Sequence, residues 1–260
     1  MANRGNTFST IKLKLASIRW YHKRQIGIDL TTSPDFTILL QGIKRLSPPV
    51  HKLQPITPAF LRLLYRQLDL QQPQHRLLWG SVLIGFFFLL RRSEYLRIGQ
   101  TRHFYCLKYQ DAFFSDAEGK PTHEANATSV TIGLEGAKND QFGRGAWITM
   151  HASGDPVICP VIALRHLKIV QKNPAYESPY LCGDLTATMV AKSFKATARS
   201  IGVPEANYST HYLRIGGGAL RSRAGKRATR QLNFWAAGSQ TASSNIRHKL
   251  QIRPRLSHSE

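Results

Sequence analysis

Apolar residues recur at three- and four-residue steps over residues 9–26, which predicts an amphipathic helix. Its apolar stripe consists of Ile11, Leu15, Ile18 and Tyr21. The basic residues mostly off that stripe are Lys12, Lys14, Arg19, Lys23 and Arg24. A second short helix is predicted over residues 34–46, with Ser33 as its N-terminal cap. The first of these two helices would present a basic face.

Prolines interrupt the helical pattern over residues 47–55, where we predict a linker. Thr57 and Pro58 then open a helix that is predicted to end near residue 68. Another helix is predicted over residues 75–90. Its apolar run, 77–90, is short for a membrane span and is flanked by arginines, so we expect a buried helix rather than a membrane contact.

The pattern changes to strands after residue 100, at 103–109, 129–136 and 146–151. The last two strands flank a polar turn over residues 137–145, which predicts a hairpin. Helical spacing returns over three further segments, namely 159–170, 186–200 and 209–224. The expected fold class is α+β and mainly α, with a small antiparallel sheet.

Charge adds a functional expectation to this fold. The chain has 260 residues, 36 Lys and Arg against 15 Asp and Glu, and a formal net charge of +21. Residues 1–54 and 211–260 are especially poor in acids, and Glu260 is the sole acid of the second segment. A surplus of this size favours a polyanionic partner, although composition alone leaves DNA, RNA and anionic lipid open.

The start of the chain has no apolar signal segment, and the spacing of its three cysteines predicts neither a disulfide framework nor a zinc site. We therefore expect an intracellular protein that is not secreted. It would act in the nucleus if the host is eukaryotic, and in the cytoplasm or nucleoid if it is bacterial.

Four side chains have the chemistry that phosphodiester cleavage needs: Arg91, Lys138, His211 and Arg214. Arginine binds phosphate through a planar fork that stays charged, and lysine or histidine can transfer protons. His211 and Arg214 stand three residues apart, so they would share one helix face, from which Tyr212 points away. Spacing alone leaves simpler roles open, such as an ion pair between Arg91 and Glu94 or a solvated Lys138.

The motifs around these residues resemble those of the tyrosine recombinase (phage integrase-like) family. Residues 91–96 after an apolar helix resemble its first arginine box, residues 136–140 its lysine turn, and residues 211–219 its His-x-x-Arg box. The likeness covers about residues 7–248. The sequence around the lysine turn also resembles recombinases carried by eukaryotic mobile elements.

The resemblance implies a role for each residue. Arg91, chosen over Arg92 because it stands three residues before Glu94, would bind the scissile phosphate together with Arg214. Lys138 would be the general acid and His211 would assist proton transfer, while Glu94 would orient the site. Trp235 falls where the family has a His or Trp near the nucleophile. The implied partner is double-stranded DNA, with no metal and no cofactor, and Arg144 joins the basic residues of the first helix as an expected DNA contact.

The chain departs from the family at the nucleophile. The last tyrosine is Tyr212, and Ser244 or Asn245 stands where the family's tyrosine is expected. Neither is a good substitute, because an amide has no useful nucleophilic oxygen and a serine needs a dedicated base.

The resemblance also divides the chain into three parts. We predict a partial helical DNA-clamp (core-binding) segment at 1–54, a recombinase-like catalytic domain at 55–250, and a basic tail at 251–260.

Three functions remain open from the sequence. The chain could be a recombinase of DNA integration, or a non-cleaving DNA-binding module of the same fold. It could also be a basic RNA-binding protein. A homo-oligomer, or a hetero-assembly with an active relative on DNA, would fit the first two.

Overall fold

A computed structural model describes residues 6–29, 31–47, 54–136 and 145–225 of the chain. The chain divides into two compact units, Met1–Lys52 and Leu53–Glu260. The boundary between them falls in the proline-rich segment that the sequence predicts as a linker.

The first unit contains two helices, α1 (Phe8–Ile26) and α2 (Pro34–Leu46), which contact each other. Thr7 and Ser33 cap them by accepting hydrogen bonds from backbone N–H groups in the first turns. Both helices were predicted, as was the Ser33 cap. Neither helix has a buried residue, and Ile18 and Tyr21 of the predicted apolar stripe are exposed.

Within the described residues, the second unit is built from six α-helices, four short 3-10 helices and one sheet. The helices are α3 (Pro58–Arg66), α4 (Pro73–Phe87), α5 (Arg92–Tyr95), α6 (Pro160–Gln171), α7 (Ala187–Ser200) and α8 (His211–Gly225). The strands are β1 (Ala112–Ser115), β2 (Ser129–Leu134) and β3 (Ala146–His151), antiparallel in the order β1-β2-β3. The predicted class, α+β and mainly α, is confirmed.

Strands β2 and β3 pair from Ser129 with His151 to Leu134 with Ala146, as the predicted hairpin requires. Its turn, residues 137–144, lies outside the described residues. The strand predicted at residues 103–109 is wrong. There the backbone bonds to other partners: Leu107 N–H donates to the Glu94 carbonyl (2.7 Å), and Lys108 forms only an isolated bridge with Tyr180. The third strand is β1 instead.

Helix α4 forms the centre of the second unit. All ten residues from Leu77 to Phe86 are buried, which confirms the predicted buried helix and explains its apolar run. Gly80 lets α6 approach closely, because a Cβ at this position would lie 2.9 Å from the Ala163 carbonyl oxygen. None of the helices in the described ranges is long and apolar enough to cross a membrane.

Two predicted helix ends need correction. Helix α3 ends at Arg66 instead of near residue 68, and α4 ends at Phe87 instead of residue 90. The cause in α4 is Leu89, whose φ of 55° is left-handed and cannot continue a helix. The chain therefore turns sharply before Arg91.

Candidate functional site

Arg91 stands immediately before the short helix α5 and is held there by Glu94. The Glu94 carboxylate accepts hydrogen bonds from the Arg91 backbone N–H (2.7 Å) and from its guanidinium Nη1 (3.0 Å). Glu94 is 4% exposed, so this acceptor is fixed in the protein interior. The ion pair considered from the sequence is therefore present.

The contact with Glu94 does not exhaust the hydrogen-bonding capacity of Arg91. A guanidinium has five N–H donors, and Nη1 alone donates to Glu94 among the described residues. The Arg91 side chain remains 27% exposed. The Arg91 guanidinium can therefore bind an anion at the surface while its Nη1 stays hydrogen-bonded to buried Glu94.

The first turns of α8 present a second pair of candidates on one exposed face. His211, Arg214 and Ile215 are exposed, whereas Leu213 is fully buried. Tyr212 packs against the hydrophobic core, as expected from its position on the helix, and contacts the His211 ring edge-on at 5.4 Å. Within the described part of the chain, no carboxylate pairs with Arg214.

Two glycines let the backbone of α8 approach its neighbours. A Cβ at Gly216 would lie 1.8 Å from the Ile56 carbonyl oxygen, and one at Gly217 would lie 2.2 Å from that of Phe86. The same Cβ at Gly217 would lie 2.6 Å from Cδ2 of Leu89. In the predicted His-x-x-Arg box, Gly217 thus joins α8 to the end of α4, and Gly216 joins α8 to the segment before α3.

This contact relates the two arginines. Arg91 comes two residues after Leu89 in the chain. Arg214 comes three residues before Gly217, so the two lie about one helical turn apart on α8. Both arginines therefore lie close in sequence to the point where Leu89 meets Gly217. The left-handed backbone of Leu89 falls at the same point, and strained residues of this kind concentrate at functional sites.

Five of the predicted site residues lie outside the described residues: Lys138, Arg144, Trp235, Ser244 and Asn245. Their roles stay predictions. The described strands β2 and β3 lead into and out of the segment that contains Lys138 and Arg144.

The basic residues predicted to contact DNA from α1 differ in their environments. Lys12 and Lys23 are exposed, Lys14 donates to the Asn6 side chain (3.2 Å), and Arg24 lies over the Trp20 ring (5.3 Å). Arg19 is bound to Asp29 through Nε (2.9 Å) and Nη2 (2.6 Å), and this hydrogen bonding lowers the pKa of Asp29 to about 2. Arg19 is thus the least available of the five cations.

Arg102 is a structural cation that the sequence analysis missed. Its side chain is only 9% exposed and lies over the Tyr180 ring at 4.3 Å. It donates to the Gly183 carbonyl and to Asp184 (3.2 Å). Nothing in the local sequence separates this largely covered arginine from the exposed ones, because its partners are about eighty residues away.

Among the described residues, no cluster of three or more His, Cys, Asp or Glu side chains could hold a metal ion. The three cysteines are free thiols and all are buried. The described site therefore consists of cations and one histidine at the surface, with one buried carboxylate beneath Arg91.

Together, the described residues form a mainly helical α+β protein in which α4 and α8 contact each other. Partly exposed Arg91 follows α4, and exposed His211 and Arg214 lie in the first turns of α8. The sequence matches no protein-family model and no curated protein. Among solved structures, the chain is similar to the XerH site-specific recombinase bound to difH substrate in a pre-cleavage complex, with 14% sequence identity and a TM-score of 0.44. The similarity covers 85% of this chain and 61% of that recombinase.

Proposed function

We propose that this chain is a DNA-binding protein of the tyrosine recombinase type, in which Arg91, His211 and Arg214 bind one phosphate of the DNA backbone. The observation that carries the proposal is the buried carboxylate of Glu94, which holds Arg91 beside the α4–α8 contact while His211 and Arg214 share an exposed face. The order of the three sequence boxes supports it.

The proposed chemistry follows from the residue types. In strand cleavage, a tyrosine oxygen forms a bond to phosphorus, the bond to the 5′ oxygen breaks, and that oxygen takes up a proton. Arg91 and Arg214 would stabilise the charge on the non-bridging oxygens, since arginine donates two hydrogen bonds to phosphate. His211 would assist proton transfer and Lys138 would protonate the 5′ oxygen.

We propose that this chain binds DNA but is impaired in cleavage. Ser244 and Asn245 stand at the nucleophile position, and neither supplies an activated oxygen without a further base. A second copy of this chain would bring the same Ser244 and Asn245 to that position. A role in DNA integration or recombination inside the cell, as part of a mobile element, would therefore depend on an active relative in the same assembly.

The runner-up function is RNA binding, which the net charge of +21 also permits. A gel-shift comparison of one sequence as duplex DNA and as RNA separates the two. We expect a preference for the DNA duplex that declines steeply with salt, because neutralised phosphates release counterions. Equal or tighter binding of the RNA would contradict the proposal.

A covalent-trapping assay on nicked duplex tests the loss of the nucleophile. We expect no adduct from the native chain, and an adduct that survives denaturation from Asn245→Tyr or Ser244→Tyr. An adduct from the native chain would disprove the impairment. Failure of both tyrosine variants would mean that the site has lost more than its nucleophile.

A further inference from the structure

Three aromatic residues, His103, Phe104 and Tyr105, form an exposed turn between α5 and β1, which we name the aromatic turn. Phe104 is 78% exposed, although it belongs to the second unit, where the other phenylalanines of the described core are buried or partly buried. Its ring contacts Tyr105 edge-on at 5.2 Å. A ring this exposed contributes little to folding by burial, which suggests another use.

The aromatic turn is held by specific hydrogen bonds. The Cys106 N–H donates to the His103 carbonyl (3.0 Å) and closes the turn. The next N–H, that of Leu107, donates to the Glu94 carbonyl (2.7 Å). Because the Glu94 carboxylate holds Arg91, one residue fixes both the aromatic turn and the proposed phosphate ligand.

Arg102, whose side chain is 9% exposed, anchors the other side of the turn. Its guanidinium is fixed by Asp184, the Gly183 carbonyl and the Tyr180 ring. The His103 and Tyr105 rings stack on each other, with centroids 4.9 Å apart and planes 5° apart, and this contact further fixes the turn. Phe104 is thus an exposed residue in a turn that is fixed on both sides.

The turn also adjoins the hairpin. A Cβ at Gly136 would lie 3.7 Å from Tyr105 Cβ, an ordinary contact distance. Gly136 lies two residues after the end of β2, on the way to the segment that contains Lys138. The aromatic turn therefore lies between two elements to which the sequence assigns phosphate chemistry.

Charge complementarity identifies the class of partner. Residues 91–108 contain five Arg and Lys but one acid, Glu94. Three of these cations pair with acids from other segments, since Arg97 and Arg102 contact Asp184 and Lys108 contacts Glu135. The charge that is left for a ligand comes from exposed Arg92 and from the guanidinium donors of Arg91 that Glu94 does not use. Exposed aromatic rings beside cations are the usual means of binding unpaired bases, since a base stacks on the ring while cations contact its backbone.

We propose that Phe104 stacks on an unpaired or displaced DNA base next to the phosphate bound by Arg91. This inference rests on the proposed function and deepens it. The aromatic turn would recognise locally opened duplex, such as a nick, a mismatch or a bubble, in preference to fully paired DNA.

The test compares Phe104→Leu with Phe104→Trp on two DNA substrates, one fully paired and one of the same sequence with a short mismatched bubble. Phe104→Leu keeps an apolar side chain without a ring, whereas Phe104→Trp keeps the ring. Met189→Ala, which removes another exposed apolar side chain (43% exposed), is the control. Thermal melting of all variants verifies folding.

We expect Phe104→Leu to weaken bubble binding about tenfold, with paired-duplex binding unchanged, and Phe104→Trp to bind as the native chain does. A 2-aminopurine in the bubble should be quenched by the native chain and by Phe104→Trp only. Equal bubble binding by the Leu and Trp variants would overturn the stacking proposal while leaving the proposed function intact. Failure of the native chain to bind either DNA would overturn both.

Discussion

Replacement of Glu94 by glutamine should lower both the free energy of unfolding and the affinity for DNA. The native carboxylate accepts two hydrogen bonds from Arg91 and is 4% exposed. Hydrogen bonds to charged groups contribute about 1.5–3 kcal/mol each, and loss of one partner of a buried pair costs about 3–5 kcal/mol. Arg91 is partly solvated and the glutamine keeps one acceptor, so we expect a loss of about 2–4 kcal/mol in the free energy of unfolding.

Thermal unfolding followed by circular dichroism measures this loss. For a unit of this size, each kcal/mol lowers Tm by about 2–4 °C. Glu205→Gln is the matched control, because Glu205 pairs with Arg199 on the surface, where the side chains are 39% and 71% exposed. Such a pair contributes about 0–1 kcal/mol. A Tm change for Glu94→Gln no larger than that of the control would refute the reasoning.

DNA affinity separates a positioning role from a structural ion pair. Glu94→Gln removes a negative charge and raises the formal net charge from +21 to +22, which on electrostatics alone should strengthen DNA binding. If Glu94 positions Arg91 for phosphate, affinity should fall instead, at a temperature where the variant is folded. Unchanged or increased affinity would contradict the positioning role.

Three further predictions concern other parts of the chain. Gly217→Ala should destabilise the protein because its Cβ would clash with the Phe86 carbonyl, whereas Gly218→Ala, with open space around it, should be neutral or stabilising by up to ~1 kcal/mol in urea unfolding. His166→Asn should flatten the loss of stability on acidification between pH 6.5 and about 4. Burial lowers the pKa of His166 to about 4 in the folded chain. Between that pH and about 6.5, the unfolded chain binds a proton at this histidine and the folded chain does not, so stability falls as the pH falls. In duplex binding, Lys12→Ala should weaken affinity more than Arg19→Ala, since Asp29 already neutralises Arg19; equal losses would contradict this ranking.

The sequence predicted the helices well because their patterns are local. Ser33 and Thr57 act as helix caps, and residues 77–86 of the apolar run are all buried in α4. The strand predicted at residues 103–109 failed because an alternating pattern does not reveal whether a neighbouring strand is available. The Leu107 N–H bonds to Glu94 instead of to a sheet.

The candidate site was predictable only in part. The motifs predicted Arg91, Glu94, His211 and Arg214 as site residues, and that role stays a prediction. The ion pair between Arg91 and Glu94, which their spacing allows, is present. The use of Gly217 as a contact point could not be predicted, because it depends on the distant Phe86 carbonyl. The aromatic turn was missed for the same reason, since its exposure results from tertiary packing.

The central claim is that Arg91 and Arg214 bind one and the same DNA phosphate. The most direct test is the salt dependence of duplex affinity for the native chain, Arg91→Ala, Arg214→Ala and the double variant. Each phosphate neutralised contributes about 0.9 to the slope of log affinity against log salt. If the two arginines share a phosphate, the double variant should lose about 0.9 in slope, and its loss of affinity should be less than additive. A loss of about 1.8 with additive affinities, or no loss at all, would contradict the claim.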